Sequence, residues 1–146
     1  MNTAIKIETN EYGMVIGVHD GYLSQLSISE DKINFNIKKA AVGKNVTEIE
    51  LLGVKLFNIK ELSNGAIISE VYSHKICEIL DSNWDIPDSG WNVLLDNYKQ
   101  EDAKKIVADL ANENPNYLLV HILCSYGGSL AVICETISKR IYNPTP

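Results

Sequence analysis

The side chains suited to chemistry fall into a few small groups, each with a spacing that can be held against a mechanism. Asp81, Asn83 and Asp85 stand at alternate positions, like the first three oxygen ligands of a calcium loop. The glycine such a loop needs next is Ile86, and its closing bidentate glutamate is Asn92, so no calcium site is expected. His121 and Cys134 form the second group. In a hairpin turning at Gly127-Gly128, Ser125 faces Leu130, Cys124 faces Ala131, Ile122 faces Ile133 and His121 faces Cys134. That pair is half a zinc site, or a thiol beside a base. Cys124 leaves the other face in this register, which leaves the zinc set incomplete and argues against a Cys124–Cys134 disulfide. An imidazole satisfied inside an apolar sheet is the plainer account of His121.

Ser125 precedes Tyr126-Gly127-Gly128 and is the best serine nucleophile, but GxSxG is absent and a turn explains the glycines. His19-Asp20 has the composition of a phosphohydrolase metal pair, yet that chemistry places its ligands on helices and this neighbourhood reads as strand. Neither GxGxxG nor a P-loop occurs, so no nucleotide cofactor is expected. The balance leans away from an enzyme: no catalytic residue, metal or cofactor is assigned. The alternatives are a small hydrolase or thiol enzyme using Ser125, or His121 with Cys134, and a small-ligand-binding domain whose apolar sheet lines a cavity.

The strongest signal is electrostatic. Residues 78–102 hold seven acids (Glu78, Asp81, Asp85, Asp88, Asp96, Glu101, Asp102) against Lys99, which equals the net charge of −6 of the whole chain. Trp84, Trp91 and Tyr98 lie in the same segment. Concentrated acid steers basic partners, and Trp and Tyr anchor interfaces. Part of the segment has an ordinary explanation. Trp91, Leu94, Leu95 and Tyr98 recur at helical spacing and fit a buried face, while Glu101 and Asp102 suit a helix N-terminus. Asp81, Trp84, Asp85 and Asp88 fall around Pro87, Ser89 and Gly90, in a stretch expected to be an exposed loop. Partner binding is therefore assigned to Asp81, Trp84, Asp85, Asp88 and Trp91.

The elements that must position these residues are mostly strands. Leu26 and Ile28, then Ile33, Phe35 and Ile37, alternate with polar residues about a Ser29-Glu30-Asp31 turn, predicting a hairpin with one wet face. Ile49 and Leu51 alternate up to Gly53, which reads as a bulge or tight bend before Val54 and Leu56. Asn64-Gly65 marks a turn before another strand. Ala103, Ile106, Val107, Leu110 and Ala111 share one face of an amphipathic helix over about 101–113, stopped by Pro115. The last apolar stretch, about 117–141, reads as a central hairpin covered on both sides. In that register Leu118, Val120, Ile122, Cys124, Ala131, Ile133 and Ile137 share one face, and Leu119, Leu123, Leu130, Val132 and Cys134 the other. The class is α+β, mainly antiparallel sheet, in a single domain over 1–146.

With 45% hydrophobic and 22% charged residues, the composition is that of a globular protein. One arginine, Arg140, and an acidic balance speak against nucleic acid and anionic membranes, which need clustered Lys and Arg. No apolar run or basic leader suggests a membrane span or signal peptide. Three cysteines without CxxC spacing fit a reduced, cytoplasmic protein. Nothing in the sequence fixes an oligomeric state.

From Val18 to His74, HDGYLSQLSI, KINFNI, ELLGVKLFNI and GAIISEVY resemble the β-rich half of small immunity-type proteins of bacterial polymorphic toxin systems. The resemblance implies a non-catalytic protein that binds and blocks a cognate toxin, often a nuclease. Such families share no fixed interface residues, so none carries over. The expected partner is a protein with a basic surface.

Overall fold

The computed structural model describes residues 5–9, 14–15, 18, 21–38, 45–62, 65–79, 91–125 and 128–142. Among these residues nine strands form two antiparallel sheets. The first has the order β1 (Ile5–Lys6), β9 (Thr136–Tyr142), β4 (Val46–Leu52), β3 (Lys32–Lys38), β2 (Tyr22–Ser29). The second has β5 (Leu56–Lys60), β8 (Ser129–Cys134), β7 (Leu118–Cys124), β6 (Ile68–Lys75). Three helices accompany them: α1 (Ile76–Ile79), α2 (Trp91–Leu94) and α3 (Gln100–Glu113). The class is α+β with sheet predominant.

Alternation along the strands decides the layers. Ile33, Phe35 and Ile37 of β3 and Ile49 and Leu51 of β4 point inward, while Asn34, Asn36, Glu48 and Glu50 point outward. They meet Ile68 and Val71 of β6, Val120 and Ile122 of β7, and Leu130 and Val132 of β8, making one core between the sheets. The opposite face of the second sheet supplies Leu119, Ala131 and Ile133 to a second core. There they pack against Ile76, Trp91, Leu94, Ala103 and Val107 of the helices. The order of layers is therefore sheet, sheet, helices, and β7 and β8 are buried on both faces.

The sheets are joined by a bent ribbon. β4 and β5 pair with β9 and β8 in turn, from Val46 opposite Tyr142 to Lys60 opposite Ser129. Both chains bend at the sheet boundary, at Gly53 and Glu135. Glu135 N–H donates to Leu52 O at 2.9 Å, and Lys55 N–H to Ile133 O at 2.8 Å. Gly53 has φ +66°, and a Cβ there would lie 2.6–2.8 Å from the Glu135 side chain. Only glycine fits this corner without strain. Strands that change sheet at such bends are how orthogonal sandwiches turn their corners. Elsewhere β2 lies against β6, with Ile68 N–H donating to Gly21 O at 2.7 Å and Leu23 N–H to Ala66 O at 2.8 Å.

The C-terminal stretch corrects the expected hairpin in two ways. It forms three strands, because the bend at Glu135 sends β9 into the other sheet. The register of β7 and β8 also differs, with His121 opposite Ala131, Ile122 opposite Leu130 and Leu123 opposite Ser129. Beyond the ladder, Cys124 N–H donates to Gly128 O at 2.9 Å. With apolar residues on both faces, the pattern supplies no wet side to fix the register.

Candidate functional site

The new register takes apart the one nucleophile–base pair. Cys134 faces the first sheet with Leu130 and Val132, whereas His121 lies on the helix side of the second sheet, between Ala131 and Tyr72. His121 is 1% exposed and Cys134 is fully buried. Burial above all, and then the neighbouring Glu135 carboxylate, push the Cys134 thiol up to about 12. A thiol held there supplies no thiolate for attack or for zinc. Cys124 shares the Cys134 face at the far end of the ladder, and all three cysteines are free. Ser125 is exposed at the turn, its backbone N–H donating to Ile67 O at 2.9 Å. No cluster of three or more His, Cys, Asp or Glu residues among the described ones could hold a metal. His19, Asp20, Asp81, Trp84, Asp85 and Asp88 lie outside the described residues.

His121 belongs to a polar row that the sequence did not single out. Tyr72 stands opposite it in the ladder, donates its hydroxyl to Glu70 Oε2 at 2.5 Å, and stacks on His74 with ring centroids 6.1 Å apart. The signal was a period-2 array, Glu70, Tyr72 and His74, within the strand expected after Asn64-Gly65.

The described part of the acidic segment splits into two environments. Trp91 is 2% exposed and packs in the second core with Leu94 and Leu95. It therefore presents no surface to a partner, and its assignment as a binding residue is corrected. Burial of an indole at helical spacing from Leu94 and Leu95 is ordinary core packing. Asp96 and Tyr98, on the turn after α2, and Glu101 and Asp102, in the first turn of α3, are all exposed. α2 and the turn after it are tied to the edge strand β5. Asn58 Nδ2 donates to Val93 O at 2.8 Å, and Lys60 Nζ lies 3.3 Å from Asp96 Oδ2.

β5 is unusual in what it leaves uncovered. Phe57 and Ile59 lie opposite Val132 and Leu130 and so share their inward side. Val132 and Leu130 are 0% and 1% exposed, yet Phe57 and Ile59 are 41% and 37% exposed. The first sheet does not reach over them. The far end of β5 stops at Glu61, a non-glycine residue at φ +53°. A Cβ on Gly128 would lie 2.9 Å from Glu61 O, so this end is pressed against the β7–β8 turn.

At the near end, Lys55 Nζ sits between Glu113 (3.8 Å) and Glu135 (3.7 Å) and 5.7 Å from the centre of the Tyr117 ring. Tyr117 is buried and donates to Glu113 Oε1 at 2.8 Å. Its phenol is held above the usual range, first by desolvation and then by the bond to Glu113 and its charge. The Lys55 ammonium is also held high, first by the charge of Tyr117 and, among the rest, by the two carboxylates. This cluster fastens the end of α3 to the bent corner.

A cleft of about 400 Å³ opens where the sheets part, with Ile7, Leu118 and Ile137 as an apolar floor and Lys75, Glu78 and Glu135 at its rim. The floor packs on the first core. Compared with protein-family models, curated proteins and solved structures, the chain matches none. Its functional reading rests on its own residues.

Proposed function

We propose that this chain is a non-catalytic protein-binding module of the immunity type, which blocks a basic, nuclease-like toxin through its acidic segment. One observation carries the reading: the exposed group Asp96, Tyr98, Glu101 and Asp102 follows α2, which Asn58 and Lys60 tie to the edge strand β5 through Val93 and Asp96. Acid steers encounter, and exposed aromatic and apolar side chains supply contact area. Asp81, Trp84, Asp85 and Asp88 extend the same segment by sequence. Separation of His121 from Cys134 weighs against the thiol-enzyme alternative.

The test is co-expression with a toxin-domain protein encoded beside this gene. Growth should be restored by the wild type. Neutralising Asp81, Asp85, Asp88 and Asp96 together should slow association and flatten its salt dependence, and Trp84→Ala should speed dissociation. Failure of the wild type to protect, or unchanged rate constants in both variants, overturns the reading.

A second reading, a small-ligand-binding domain, is favoured by the cleft, whose volume is in the range of ligand sites. A small amphiphile that raises the melting temperature of the wild type but not of Leu118→Trp would carry it.

A further inference from the structure

We infer that β5 is the docking edge, and that the partner adds an extended basic segment to it as a further strand; this rests on the protein-binding reading above. β5 is the outermost strand of the second sheet, pairing among the described residues with β8 alone. A strand edge offers unpaired N–H and C=O groups, and main-chain pairing there is a common mode of peptide capture. Natural edges are blunted by proline, bulges, short length or charge, especially lysine; the one lysine of β5, Lys60, lies at its end and is engaged by Asp96. The five residues Leu56–Lys60 contain no proline, and their ladder with β8 has no register shift.

Side chains decide what the added strand must carry. On the inward side Phe57 and Ile59 are exposed with no cover from the first sheet. Apolar residues at alternate positions of an incoming strand would continue that surface. Charge decides the rest. Around β5 stand Glu61, Asp96, Glu113 and Glu135 against Lys55 and Lys60. Both lysines are already engaged by carboxylates, so the remaining field at each end is negative. The fitting occupant is an extended segment with valine-like residues on one side and lysine or arginine on the other. A second copy of this chain fits poorly, because pairing two chains of net charge −6 sets like fields against each other.

The probe is a blocked seven-residue peptide of alternating lysine and valine, titrated into the isotopically labelled full chain. Backbone amide shifts should move at residues 56–60, exchange there should slow, and affinity should fall at least tenfold between low and high salt. Phe57→Ser and Ile59→Lys, both at exposed positions, should each weaken binding at least tenfold with unchanged circular dichroism. Loss of structure in one variant leaves the other, and the peptide's own footprint, as readouts. The inference is overturned by a footprint away from β5, by equal binding of a control peptide with glutamate in place of each lysine, or by a dimer that Phe57→Ser dissolves. The two readings fail separately. Full protection against the toxin by the β5 variants overturns this docking edge while the immunity function stands. No protection by the wild type overturns the function itself.

Discussion

At the scale of single residues, the two cysteines of the final strands are spent on packing. Cys134 is buried with its thiol raised to about 12, Cys124 is raised by burial, and Cys77 is exposed. Native protein at pH 8 should therefore present one fast-reacting thiol to an aromatic disulfide reagent and three after denaturation. Two or more fast thiols in the native state would contradict the burial of the final strands. Tyr117 gives the chain an alkaline limit. Its folded pKa lies above 10.0, so the unfolded chain loses the phenol proton first. Stability from this group is present below about pH 10 and is lost as pH climbs through the raised folded value. Lys55, raised above 10.5, acts in the same direction. Tyr117→Phe should consequently lose less stability than the wild type between pH 9 and 11, read as the shift in urea midpoint.

Among the elements, the bent ribbon carries the fold, and Gly53 tests it. Gly53→Ala places a side chain at φ +66° against Glu135 and should cost about 1–3 kcal/mol from the backbone conformation alone, with the clash added. Gly65→Ala, at φ +83° with open space around it, should show the conformational cost without the clash. Glu135→Ala should recover part of the Gly53→Ala loss in a double-mutant cycle and leave Gly65→Ala unchanged. How far such features can be read from sequence depends on whether one face is wet. In β3, Lys32, Asn34 and Asn36 mark the outer side, so Ile33, Phe35 and Ile37 are legible as core. In 103–111 the apolar spacing coincides with the face α3 packs, where Ala103 and Val107 are buried. The run from Leu118 to Cys134 has no polar side, and its register, with the His121 and Cys134 environments that follow from it, was not recoverable from pattern. Trp91 was legible as core by spacing and as an anchor by composition, and packing settles it as core. The uncovered side of β5 was hidden for a different reason. Its exposure depends on how far another sheet extends, and no local pattern records that.

For the whole molecule, the second sheet is shared property. Its inner face builds one core and its outer face the other, so damage to either should be felt by both. Phe35→Ala between the sheets and Trp91→Ala beneath the helices should each lose about 3–5 kcal/mol. Each variant should still unfold in one transition, with circular dichroism and fluorescence coincident. Separate transitions would show that the helical layer melts independently. The ribbon has a further consequence, which concerns time. β4 finds its second partner in β9, and β5 its partner in β8, both far along the chain. Contacts so distant in sequence are made slowly. On a ribosome, β4 would wait with one edge unpaired, and β5 without its partner, until the segment from Ser129 to Tyr142 had emerged. Throughout that wait Phe57 and Ile59 stand open to other nascent chains, and the demand for a chaperone should be greatest just before that segment emerges.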